Sequence, residues 1–154
     1  MGCVAVQLAL SEGAEVFGTT SAPFVAYVES LGVRGVVDQA APTFESVVPE
    51  VDLVLDTLGG DLLRRSYGVL RPGGRVVSTV EVPEAEILAT YQLRGHHARP
   101  SPDGATLHRV LQRAAAHRIE TKVAQVLPLA RAAQALELAQ LPGTPGKVIL
   151  QIPG

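Results

Sequence analysis

Residues 52–78 read DLVLDTLGGDLLRRSYGVLRPGGRVVS, and the order of patterns within them decides the fold. Asp52–Asp56 (DLVLD) is a short apolar run closed by a carboxylate, as in a strand buried on both faces. Leu62–Leu70 has helical spacing, Arg71–Gly74 (RPGG) breaks it, and Arg75–Thr79 (RVVST) is a second apolar run. Two strands joined by a helix predict a parallel pair with a helical crossover. A tight helix-to-strand connection calls for Pro-Gly-Gly, so Gly73 and Gly74 read as turn residues rather than ligand contacts.

The same alternation extends in both directions. Val4, Leu8 and the alanines between them recur at helical spacing, predicting a helix from Gly2 to Glu12 that stops at Gly13. Glu15–Thr19 reads as a strand, Ala22–Leu31 as a helix, Gly35–Asp38 as a strand, and Phe44–Val48 as a weak helix cut at Pro49. After Val80 come a helix at Glu84–Tyr91, a short strand or loop at His97–Arg99, and a helix N-capped by Asp103 with Leu107, Val110, Leu111 and Ala114 on one face. A strand at Lys122–Leu127, a helix from Pro128 to Gln140, a turn at 142–146 (PGTPG) and a strand at Lys147–Ile152 complete the chain. The pattern predicts an α/β fold, a doubly wound parallel sheet followed by a strand-helix-strand segment. In such sheets ligands bind beyond the carboxyl ends of the strands, which points to Thr19–Ser21, Asp38–Gln39, Asp56–Gly60 and Ser78–Val80.

Composition narrows the function. The chain has 154 residues, 47% hydrophobic and 18% charged, enough to bury the core of one domain. Net charge is −2 and the basic residues are dispersed, so the electrostatic footprint of a nucleic-acid binder is missing. Aromatic residues make up 4%, too few for base-stacking platforms. No apolar run approaches the roughly 18 residues of a membrane helix, and no secretory leader is legible; the expectation is a cytoplasmic protein. Cys3 is the single cysteine; it cannot form an internal disulfide and reads as a small packing residue. His96 and His97 are adjacent and face opposite ways if extended, and His108 and His117 fall on roughly opposite helix faces, so neither pair predicts a metal. Ser66, Ser78 and Ser101 lack the context of a hydrolase nucleophile.

Taken together, GCVAVQLALSEGAEVFGTTS, SLGVRGVVD, the 52–78 stretch and the closing LPLARAAQALELAQLPGTPGKVIL resemble the quinone-oxidoreductase-like branch of the medium-chain dehydrogenase/reductase superfamily, the zinc-type alcohol dehydrogenase-like proteins. The resemblance runs over nearly the whole chain in family order. It implies a Rossmann-like domain that binds NADPH, less often NADH, and no zinc. In the intact enzyme it implies hydride transfer to a quinone or enone. It also places a strand, a glycine-rich loop and a substrate domain before a segment like Gly2–Leu10. The chain is thus expected to be the C-terminal portion of a longer enzyme or a truncated relative: residues 1–118 a Rossmann-like domain lacking its first, central strand, and 119–154 a segment that packs on the substrate domain. Loss of a central strand leaves two unpaired edges. Either Cys3–Leu10 fills the gap as a strand, or a second copy does; a homo-oligomer is the expectation.

The resemblance distributes the cofactor along the strand ends. Gly2 would let the pyrophosphate approach the first helix, whose amides and dipole favour an anion, or it is an ordinary helix start. Thr19, Thr20 and Ser21 would meet the adenosine ribose. None is acidic, which favours NADP over NAD; the basic residue and tyrosine expected of an NADPH site are replaced by neutral residues, with Gln39 at the tyrosine's place. Thr57 and Gly59 would run beside the nicotinamide ribose, Asp56 would join them or cap the following helix, and Ser78 and Thr79 would lie near the nicotinamide. No residue is nominated as catalytic acid or base, because hydride passes directly between nicotinamide and substrate. The substrate would be held only with a second domain present. Two alternatives stay open: a non-catalytic truncated module acting through binding or self-assembly, and an S-adenosylmethionine-dependent methyltransferase, whose fold also carries DLVLD and VLRPGGRVVS patterns.

Overall fold

In the computed structural model, which describes residues 1–41, 44–101, 103–116, 118–141 and 146–153, every paired strand runs parallel to its neighbour. Helix α1 (Gly2–Ser11) leads to strand β1 (Phe17–Thr20), and α2 (Val25–Ser30), entered through a single 3-10 turn, leads to β2 (Gly35–Asp38). Strand β3 (Val51–Asp56), α3 (Gly60–Ser66), β4 (Leu70–Ser78), α4 (Ala85–Thr90) and β5 (Arg94–His97) follow. Helix α5 (Gly104–Ala115) then precedes β6 (Val123–Pro128), α6 (Ala132–Gln140) and β7 (Lys147–Gln151). The helices between paired strands supply the crossovers that parallel pairing demands. The turn expected at 142–146 and His117 fall at least partly outside the described residues.

Three parallel groups result: β1-β2, β3-β4-β5 and β6-β7. Their register lines up the carboxyl ends, with Thr20 opposite Asp38, Asp56 opposite Ser78, and Ser78 opposite His97. Among the described residues no strand pairs with the second edge of β1 or of β3. Cys3–Leu10 lies inside α1, so the alternative in which it fills the sheet as a strand is corrected. Helix propensity explains it: Ala and Leu dominate the segment.

The core lies on one face of β3-β4-β5, where Leu63, Tyr67, Leu70, Val76 and Leu93 pack together against Val51, Val54, Ile87 and Leu88. Because strand side chains alternate, Leu53 and Leu55 point to the other face, where they are 55% and 43% exposed. Helix α1 has no buried residue and neither has α5. Thus α3 and α4 cover one side of the sheet, while the side expected to be covered by further helices stays open. Cys3 is half-buried rather than a core residue.

Several boundaries differ from the sequence reading: β1, read as Glu15–Thr19, is Phe17–Thr20, and α3, read as Leu62–Leu70, is Gly60–Ser66. Strand β4 begins at Leu70, because pairing with Val51 starts before the RPGG segment and resumes, after a bulge, at Leu53 opposite Arg75. The strand expected near His97–Arg99 is Arg94–His97. Helix α5 starts as read, with Asp103 accepting from the amides of Ala105 and Thr106 at 3.1 and 3.0 Å. Among the described residues no helix is long and apolar enough to cross a membrane.

Candidate functional site

The carboxyl ends of β3 and β4 bring together a network of polar groups. Asp56 ends β3 and is 6% exposed; Ser78 ends β4 and is fully buried. Ser78 Oγ donates to Asp56 Oδ2 at 2.6 Å, short as expected for a hydroxyl on a carboxylate. The other carboxylate oxygen accepts from the amides of Leu58 and Gly59 at 3.1 and 2.9 Å, which folds the chain into the turn ahead of α3. Asp56 therefore does not cap a helix near Leu62: α3 already starts at Gly60, with Gly59 at its N-cap. Ser78 Oγ in turn accepts from the amides of Val80 and Glu81 at 3.1 and 3.2 Å.

Further bonds join the same two turns. Thr79 N donates to Asp56 O at 3.0 Å, and Thr79 Oγ1 reaches the same oxygen at 3.3 Å. Gly60 N donates to Glu81 Oε1 at 2.8 Å, and Glu84 N donates to the hydroxyl of Tyr67 at 3.2 Å. Burial pushes the Tyr67 hydroxyl above the ordinary tyrosine value, so it stays protonated behind the turns. Thr57 makes no side-chain hydrogen bond among the described residues, which leaves its hydroxyl available. Gly59 needs its glycine: its φ is +73°, and an added Cβ would sit 3.1 Å from Val80 Cγ1.

The remaining sequence-derived residues fall into two other places. Thr20 and Gln39 meet, with Gln39 N donating to Thr20 O at 2.9 Å, and Ser21 follows as the start of a 3-10 turn in which Phe24 N donates to Ser21 O at 2.9 Å. Thr19 is exposed beside them. Asp38, the register partner of Thr20, spends one carboxylate oxygen on the amide of Ala40 at 2.9 Å. Gly2 opens α1, with open space where a Cβ would be. No hydrogen bond between described residues joins Gly2, the Thr19–Gln39 group and the Asp56–Thr79 group to one another.

Sequence reasoning missed three participants. His97 is next to Ser78 in register, and its Nδ1 is buried without a hydrogen-bond partner. Glu81 and Tyr67 brace the turns. The sequence carried no signal for any of them, since His97 opens the short strand or loop expected at His97–Arg99 whereas it closes β5. Among the described residues no three His, Cys, Asp or Glu side chains come together as a metal would require. His96 and His97 occupy consecutive positions on β5, and Cys3 stands alone, so the donor set does not fit a zinc ion and no step is assigned to one. The unbonded Thr57 hydroxyl and the side-chain-free Gly59 turn are groups of the kind a dinucleotide's ribose would need, a hydroxyl partner and a close backbone approach.

Residues 31–150 match the family model described as zinc-binding dehydrogenase. The Streptomyces orinoci protein called spectinabilin polyketide synthase system protein NorB is 38% identical over 102 residues, covering 63% of this chain and 5% of that protein. The probable zinc-binding oxidoreductase, mitochondrial, of Arthroderma benhamiae is 26% identical over 145 residues, covering 89% of this chain and 44% of that one. In fold, the quinone oxidoreductase from Coxiella burnetii superposes with a TM-score of 0.86 at 22% identity, over 99% of this chain and 49% of that structure. The chain spans less than half the length of either curated relative. The parallel strands and the superposition give the fold, the match over residues 31–150 gives the family, and the chain belongs to the zinc-binding dehydrogenase family.

Proposed function

We propose that the chain is the nucleotide-binding portion of an NADPH-dependent quinone or enone oxidoreductase. The observation that carries the reading is the pair of linked turns at the ends of β3 and β4, with Thr57 unbonded and Gly59 allowing close backbone approach. A bound nicotinamide supplies the hydride that is delivered to a conjugated carbonyl compound. The role of this chain is to orient: Thr57, Gly59 and Thr79 at the nicotinamide half, Thr19, Thr20, Ser21 and Gln39 at the adenosine half, and Gly2 at the pyrophosphate. Such positioning accounts for a large part of the rate in direct transfers. NADPH is favoured over NADH because β1 itself ends in hydroxyls rather than in a carboxylate; the carboxylate opposite Thr20, that of Asp38 at the end of β2, has one oxygen engaged by the amide of Ala40. Residues 119–154 are assigned to a substrate domain's surface, so substrate binding and turnover require that second domain.

A second reading, a non-catalytic module acting through self-assembly, is favoured by the edges of β1 and β3 that no strand pairs among the described residues and by exposed Leu53 and Leu55, since open edges and apolar faces promote association. NADPH fluorescence titration of the chain, with NADH and S-adenosylmethionine alongside and mass followed by light scattering, separates the readings. Saturable binding with NADPH preferred is the expected result. A folded oligomer that binds no nucleotide at millimolar concentration would leave the module reading.

A further inference from the structure

The two turns at the β3 and β4 ends are tied together by an unbroken chain of hydrogen bonds: Leu58 and Gly59 amides to Asp56 Oδ1, Ser78 Oγ to Asp56 Oδ2, and Val80 and Glu81 amides to Ser78 Oγ. Its direction is fixed. Two backbone amides donate to the Ser78 oxygen and occupy its lone pairs, which leaves its one proton for Asp56 Oδ2. Both carboxylate oxygens and the hydroxyl are therefore committed inside the protein. With Asp56 6% exposed and Ser78 fully buried, neither side chain presents a polar atom to a ligand.

We propose that Asp56 and Ser78 are positioning residues rather than cofactor contacts: their bond sets the spacing between the Thr57–Gly59 turn and the Thr79–Glu81 turn, and with it the fit of the nicotinamide half of the dinucleotide. The inference rests on the dinucleotide reading above. The amides of Leu58, Gly59, Val80 and Glu81 all end on this couple, while the Thr79–Asp56 backbone bond and the Gly60–Glu81 bond join the same two turns independently of the serine hydroxyl. Removing the serine hydroxyl leaves two part-buried amides without their acceptor and one buried carboxylate oxygen without its donor, and a polar group buried without a partner is costly. The loss spreads to the Asp56 side, because a carboxylate deprived of a donor inside the protein turns or draws in water. The adenosine group at Thr19–Gln39 shares none of these bonds and is expected not to respond.

The test uses the 154-residue chain with Ser78→Ala, and with Asp56→Asn as a second variant that keeps volume and one oxygen acceptor in case the first does not fold. Amide hydrogen exchange is read without ligand, and NADPH and adenosine 2′,5′-bisphosphate are titrated in parallel. In Ser78→Ala, exchange is expected to rise about tenfold at Leu58 and Gly59 as well as at Val80 and Glu81, while Thr106 in α5 is unchanged. NADPH affinity is expected to fall about tenfold, and affinity for the adenosine fragment to stay at the wild-type value. Faster exchange confined to Val80 and Glu81 overturns the coupling. Equal loss for NADPH and for the fragment overturns the positioning role, because a general loosening would produce it. A wild-type chain that binds neither nucleotide refutes the function proposed above, and the positioning role with it. Uncoupled exchange in a chain that does bind refutes the positioning role alone.

Discussion

The amide of Gly60 donates to Glu81 Oε1 at 2.8 Å, and the residue before it, Gly59, holds φ at +73°. The turn between β3 and α3 thus depends on a backbone shape that side chains other than glycine's rarely adopt. Gly59→Ala would place a methyl 3.1 Å from Val80 Cγ1 in that same conformation. We expect a loss of about 1–3 kcal/mol in urea unfolding, because φ +73° with ψ −165° is a region open essentially to glycine, accompanied by weaker NADPH binding. Unchanged stability would mean that the turn relaxes freely and that its shape is not fixed by the fold.

The one-sided core gives a contrast that can be measured. Leu63 is 2% exposed and packs with Tyr67 and Val76, whereas Leu53 on the opposite face is 55% exposed. Leu63→Ala should cost about 2–5 kcal/mol, and Leu53→Ala less than about 0.5 kcal/mol. If Leu53→Ala costs as much as Leu63→Ala in chemical denaturation, the open face is covered in solution by another surface. Concentration-dependent unfolding would then identify that surface as a second copy.

How much of this was legible in the sequence follows from which interactions are local. β2 was read at its true limits because Val36 and Val37 are bracketed by Gly35 and Asp38, so the apolar run and its punctuation coincide. The start of β4 was not read, because Leu70 pairs with Val51 across a bulge in which Gly73 takes φ +80°, and no periodicity reports a bulge. β5 has the sequence RGHH and no apolar pattern at all. Tertiary packing makes it a strand: a Cβ on Gly95 would fall 2.5 Å from Leu88 Cδ1 and 2.9 Å from Pro83 Cβ. At the site, the strand ends were legible as a class of position. The Asp56–Ser78 couple was not, because the two residues are 22 apart in sequence and meet only through register.

Stability should fall at both ends of the pH scale for identifiable reasons. The Asp103 carboxyl is held below its ordinary value by the Thr106 side chain and by the Thr106 and Ala105 amides. Its folded value lies under the unfolded one, so its stabilising effect is full above roughly pH 4 and is lost as pH falls through the folded value. Burial raises the Tyr67 hydroxyl; its folded value lies above the unfolded one, so stability is lost as pH climbs past roughly 10. Asp103→Ala should flatten the acid limb and Tyr67→Phe the alkaline limb of a plot of unfolding midpoint against pH. Swapped effects would contradict the sign of either shift.

Cofactor choice can be tested at the end of β1. Thr20 closes that strand opposite Asp38, its backbone carbonyl taken by the amide of Gln39 at 2.9 Å, while its side chain makes no hydrogen bond among the described residues. A carboxylate at this position accepts from a ribose 2′-hydroxyl and repels a 2′-phosphate. At partly screened surface separations such repulsion is worth about 1–2 kcal/mol. Thr20→Asp should therefore weaken NADPH binding by roughly five- to thirtyfold and leave NADH binding unchanged or improved, as read by fluorescence titration at low salt. The gap between the two nucleotides should narrow as salt is raised, because a charge effect is screened and a loss of shape is not. Equal weakening of both nucleotides would show that Thr20 supports the strand end sterically and that the 2′-phosphate lies elsewhere.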